Sequence, residues 1–96
     1  MDVMTIEWHA TPFRADRFLE GYQPALRRAL AYGASGYLFY RSEEDPDLFV
    51  HISYWENRGD FQRYWLSQEM QQVRENIAGL HGQPVAPHWS YLLDSA

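Results

Sequence analysis

Two runs of alternating residues, Gly36–Ser42 (GYLFYRS) and Asp47–Trp55 (DLFVHISYW), are separated only by an acidic segment containing Pro46. Proline offers no N–H to a ladder, so it belongs to the turn, and the two runs pair as a hairpin. A strand alternates its faces with period two. Phe49, His51, Ser53 and Trp55 therefore share one face, and Val50, Ile52 and Tyr54 share the other. Neither set is plainly the water side, so the hairpin has to be covered on at least one face.

The flanks supply the cover. Val3–Ala10 (VMTIEWHA) alternates as a first strand. Asp16 is placed to cap a helix running to about Tyr32, with Phe18, Tyr22, Leu26, Ala29 and Leu30 as its apolar stripe. Pro24 inside that stripe predicts a kink or break, and Gly33 suits the position after the helix end. After the hairpin, Asn57 is a helix cap with Asp60 as its capping-box partner, and Phe61, Tyr64 and Trp65 point inward. The apolar spacing then slips to Met70, Val73, Ile77 and Leu80, which predicts a second consecutive helix capped at Ser67. GLHGQP (Gly79–Pro84) is loop, and Val85–Leu93 is a last strand that Pro87 makes either an edge strand or a bulged one.

The order β-α-β-β-α-β predicts an α+β, ferredoxin-like fold: one domain over residues 1–96, with a four-stranded antiparallel sheet in the order four-one-three-two and helices on one face. The bare face is expected to carry Val50, Ile52 and Tyr54 with Met4, Ile6 and Trp8. A patch that apolar usually marks an interface, here a homodimer with the two sheets packed face to face.

Composition excludes several classes. A net charge of −5 opposes nucleic-acid binding, which needs clustered cations. There is no cysteine, hence no thiolate chemistry, disulfide or cysteine zinc site. That fits a reducing compartment. MDVMTIEWHA has no basic start or long apolar run, so a cytoplasmic protein is expected, and no segment approaches a membrane span. Seven Tyr, five Phe and four Trp can fill a core, a dimer seam or a pocket for a flat ligand.

The segment GYLFYRSEEDPDLFVHISYWEN, followed by DFQRYW and SQEMQQV, resembles the antibiotic-biosynthesis-monooxygenase-like family, one branch of the dimeric α/β-barrel proteins. The resemblance covers nearly the whole chain. It implies a cofactor-independent oxygenase, without metal or flavin, that oxidises a small aromatic or polyketide-like molecule with O2 in a pocket between sheet and helices. The family's strand-end tryptophan matches Trp55; its asparagine four residues earlier is His51 here; a tyrosine six residues later is Phe61; a late-helix arginine matches Arg74. In the haem-degrading branch a histidine holds iron where Arg74 stands, and a tryptophan stands where this chain has Tyr64, next to Trp65. A guanidinium offers no lone pair to iron, so haem chemistry is disfavoured.

On this reading the catalytic set is His51 for proton transfer, Trp55 as a stacking wall and Arg74 as the holder of an oxyanion. His9, Tyr22, Phe61, Tyr64 and Trp65 are the candidate substrate contacts. His9, His51 and His88 all fall toward one end of the inferred sheet, with Glu7 nearby. Shared parity would make them a proton relay, and the expectation is a polar pair lining a pocket rather than a metal site. His81 is expected to be exposed. The acidic turn Glu43, Glu44, Asp45 and Asp47 lacks calcium-loop spacing and is solvated. Two other functions fit the same residues: a non-catalytic ligand-binding or dimerisation module, and a proton-transfer cyclase or isomerase using His51 and His9.

Overall fold

A computed structural model of the chain describes residues 1–82 and 85–96. Its elements are β1 (Asp2–His9), α1 (Ala15–Ala31), β2 (Ala34–Arg41), β3 (Leu48–Trp55), α2 (Arg58–Trp65), α3 (Gln68–Asn76) and β4 (His88–Tyr91). The sheet is antiparallel with order β2-β3-β1-β4, as the strand pattern predicts. The helices lie on one face.

Local chemistry explains most boundaries. The Asn57 side chain accepts from the Gly59 N–H at 2.7 Å, and the Ser67 hydroxyl accepts from the Met70 N–H at 3.2 Å, so α2 and α3 both start on side-chain caps. Asp60 is no capping-box partner; its carboxylate pairs with Arg63 at 2.9 Å. Nor is Asp16 a cap. Helix α1 starts at Arg14 without a side-chain cap, and Asp16 sits in its first turn, where a carboxylate favours the helix dipole. The same helix runs unbroken through Pro24. Gly33 has φ +116°, and a Cβ there would stand 3.0 Å from Asp60 Oδ2, so both the backbone angle and the space require glycine. The hairpin turn is closed by the Ser42 hydroxyl, which accepts from Asp45 N–H at 3.1 Å. Strand β4 is shorter than predicted and begins directly after Pro87. Of the predicted loop Gly79–Pro84, residues 83 and 84 lie outside the described residues.

The core lies between sheet and helices. Phe18, Tyr22, Leu26 and Ala29 of α1 are buried as the helical spacing predicts, joined by Ala25, whereas Leu30 is exposed. Phe61, Tyr64, Met70, Val73, Ile77 and Leu80 are buried from the other helical side. One face assignment is overturned. Met4, Ile6 and Trp8 belong to this core and not to the bare face. The register pairs them with Ser53, His51 and Phe49, and antiparallel partners share a face. The open face therefore carries Val3, Thr5, Glu7 and His9 from β1. Its apolar content comes from Val50, Ile52 and Tyr54 with Leu38 and Tyr40, which are 53% and 51% exposed.

Candidate functional site

His51 stands in the middle of β3, between Ile6 of β1 and Phe39 of β2. It is 0% exposed. Tyr22 comes down from α1, and its hydroxyl meets His51 Nδ1 at 2.7 Å, a buried bond between residues 29 apart in the chain. Tyr37 and Phe39 close the rest of the surround, edge-on to the imidazole with ring centroids 6.1 and 6.0 Å away. His51 Nε2 is buried with no hydrogen-bond partner among the described residues. Trp8 Nε1 is left in the same condition, with its ring centroid 5.0 Å from that of Tyr22.

Burial lowers the His51 pKa from 6.5 to about 4, because a charged imidazole loses its hydration there. Burial pushes the Tyr22 hydroxyl well above its ordinary value, Tyr64 adding to the rise and the Trp8 indole opposing it. At neutral pH both groups are uncharged. Either the Tyr22 O–H donates to Nδ1 and Nε2 carries the ring proton, or Nδ1–H donates to Tyr22 and Nε2 keeps its lone pair. In both cases one polar atom points away from Tyr22 with nothing to bond.

A second group forms around Trp55, at the end of the same strand. Trp55 is also 0% exposed. Its indole N–H donates to Ser53 Oγ at 2.8 Å. Phe61 meets its ring edge-on at 5.5 Å, and Tyr64 lies tilted against it at 5.7 Å. The Tyr64 hydroxyl donates to the Ala25 carbonyl at 2.8 Å, and burial raises its pKa. Beyond Phe61 the packing opens into a cleft of about 450 Å³ between α2 and β4, lined by Met4, Phe61, Trp65, Pro87 and Trp89. Phe61 stacks on Trp65 at 5.8 Å and meets Trp89 edge-on at 5.4 Å. Arg58 covers Trp89 at 4.8 Å while paired with Asp2 at 2.8 Å.

The residues predicted to act together are thus divided. His51 pairs with Tyr22. Trp55 has its ring covered by Phe61 and Tyr64 and offers no free face as a stacking wall. Arg74 donates to the Trp65 carbonyl at 2.9 Å and lies over the Trp65 ring at 5.3 Å, so it fastens the end of α2. Of the predicted contacts, Phe61 and Trp65 reach the open cleft, Tyr22 reaches His51, and Tyr64 is committed to the core. His9 departs from the expectation: it is exposed on the open face, opposite to His51, so no relay joins them. His88 pairs with Thr5 on that open face as well. His81 is half-buried, edge-on to Trp8 at 4.9 Å, where exposure was expected. No group of three or more metal-ligating side chains forms among the described residues. Tyr37, Phe39, Trp89 and Arg58 escaped the sequence reading. Tyr37 and Phe39 were recoverable, since hairpin parity puts them beside His51.

A family model described as "Antibiotic biosynthesis monooxygenase" matches residues 1–76. No curated protein matches the sequence. Among solved structures, a proposed antibiotic biosynthesis monooxygenase from Nitrosomonas europaea superposes with TM-score 0.87 at 17% identity, covering 98% of this chain and 100% of the other. Rv0793 from Mycobacterium tuberculosis gives 0.82 at 19% identity, over 100% and 99%. PA3566 from Pseudomonas aeruginosa gives 0.84 at 18%, over 97% and 94%. At these identities the likeness establishes the fold.

Proposed function

The chain belongs to the antibiotic biosynthesis monooxygenase family, and from that premise we propose that it oxidises a small electron-rich aromatic molecule with O2, without metal or flavin, at His51 and Tyr22. The observation that carries this reading is His51 Nε2, buried and unpartnered. Leaving such an atom unsatisfied costs about 1–3 kcal/mol, and a phenol or enol oxygen of a substrate would recover it. A pKa of about 4 makes the closed imidazole a weak base. A substrate anion at Nε2 raises that pKa by pairing with the charged form, so base strength appears when the substrate arrives. Tyr22 holds the ring in place from Nδ1. With a hydroxylated anthrone, the deprotonated ring gives electrons to O2; one oxygen atom becomes the new carbonyl and the other leaves as water with the two former methylene hydrogens.

The complete cover over His51 and Trp55 favours a second reading, a non-catalytic ligand-binding module on the same scaffold. Oxygen uptake separates the two. Hydroxylated anthrones are mixed with the protein and with His51→Ala. Uptake abolished by the substitution supports oxygenation. Product without uptake indicates proton-transfer isomerisation, and binding without turnover indicates the module. We also propose a homodimer closed through the open face, supported by exposed Leu38 and Tyr40 beside half-buried Ile52 and Tyr54. Sedimentation at a single protomer mass would remove that part.

A further inference from the structure

A cleft of about 730 Å³ lies between α1 and edge strand β2, on the other side of the molecule from the α2–β4 cleft. Glu20, Gln23, Pro24 and Arg27 form its α1 wall, and Leu26 and Tyr37 its floor. Its size suits a fused-ring aromatic molecule. Leu26 stands one helical turn after Tyr22, whose hydroxyl holds His51. The Tyr37 ring is half-buried: one side lines the cleft, and its centroid is 6.1 Å from that of His51. Tyr37 thus lines the cleft and meets the His51 ring edge-on.

Three observations suit Tyr37 to that position. It sits on edge strand β2 with its ring half-buried, so a side-chain rotation carries it toward solvent rather than into another strand's side chains. Tyr22, Tyr32 and Tyr64 each have a hydroxyl held by a hydrogen bond, whereas the Tyr37 hydroxyl carries none among the described residues. Arg27 and Arg28 stand at the rim with Glu20, and Arg28 is engaged by the Glu69 carboxylate, so Arg27 is the rim cation placed to draw an anion. By contrast, the α2–β4 cleft has its cation, Arg58, already paired with Asp2.

We propose that the α1–β2 cleft is where an anionic aromatic substrate first binds, and that Tyr37 is the positioning residue that turns aside to bring it to His51. This rests on the oxygenase reading for the identity of the substrate, but the tests below require no turnover, so the two fail separately. The first test is acylation of the intact protein by diethyl pyrocarbonate, followed for each histidine by mass spectrometry. Free N-acetylhistidine in the same mixture is the reference, because His9 and His88 lie on the face proposed to close the dimer. His51 should react at least about tenfold more slowly than the reference in the wild type, a ratio set by local opening. Tyr37→Ala should accelerate His51 by about tenfold, leave His81 unchanged, and show a rate insensitive to low urea, as a local opening does. Trp89→Ala, which enlarges the other cleft, should leave His51 slow. Acceleration by Trp89→Ala and not by Tyr37→Ala, or acceleration that rises with urea as global unfolding does, overturns the route. The second test is binding of anthraquinone-2-sulfonate, a permanently anionic tricyclic probe. Arg27→Glu should weaken it by about fivefold, with the difference shrinking in high salt. An unchanged Kd overturns the assignment of the anion to this cleft.

Discussion

At the C-terminal end of β3, Trp55 is enclosed by Phe61 and Tyr64, and the indole N–H and the Tyr64 hydroxyl each find an acceptor within 2.8 Å. In the middle of the same strand His51 is enclosed just as fully, yet one of its two nitrogens has no partner among the described residues. The first region behaves as ordinary core, where burial and polar satisfaction agree. The second keeps an unmet hydrogen bond inside apolar walls, against the general rule for buried polar groups. The difference separates what holds the fold from what keeps an unspent hydrogen bond, and it moves attention from the tryptophan, which the family pattern emphasises, to the histidine.

The contrast can be broken by stability measurements. Trp55→Ala should destabilise the protein by about 3–5 kcal/mol in urea unfolding, since it opens a cavity and frees Ser53. A loss below about 1 kcal/mol would mean that the region is not tightly packed core. The pH dependence of stability should report His51 next. Its folded pKa is lowered from 6.5 to about 4, so the unfolded chain binds the extra proton first. Stability from this source is complete above pH 6.5 and falls by about 3 kcal/mol as the pH drops toward 4. The double variant His51→Leu with Tyr22→Phe should flatten that slope, and an unchanged slope would place the titration elsewhere. Tyr64→Phe should cost about 1 kcal/mol by removing the side-chain hydrogen bond to the Ala25 carbonyl, which keeps its helical donor. Ser67→Ala should cost about 1 kcal/mol through the lost cap of α3, away from both regions, and sets the scale for the others.

Much of this fold was legible because each signal was local. The Asn57 and Ser67 caps, the slip in apolar spacing between Trp65 and Met70, and Pro46 in the hairpin turn all act within a few residues. The parity of β3 was legible too, and it placed His51 and Trp55 on the helix side together. The parity of β1 was legible but its sense was not. Alternation says that Met4, Ile6 and Trp8 travel together, and only the register against β3 says which way they face. Glu7 and His9 at the intervening positions were the available hint, because charged and polar groups favour the solvated side. The site was less legible. Tyr22 and His51 meet across 29 residues and two elements. Arg74 spends its hydrogen bond on the Trp65 carbonyl, which no spacing rule announces.

The contact between Gly33 and Asp60 has a practical consequence. Any side chain at Gly33 pushes on the first turn of α2, so a cross-link or dye anchored at the α1–β2 joint would disturb two helices at once. Gly82 is the better anchor: a Cβ there meets nothing within 4 Å among the described residues. A reporter group attached at Gly82 should leave the scaffold intact while watching the Trp8 and His81 side of the core.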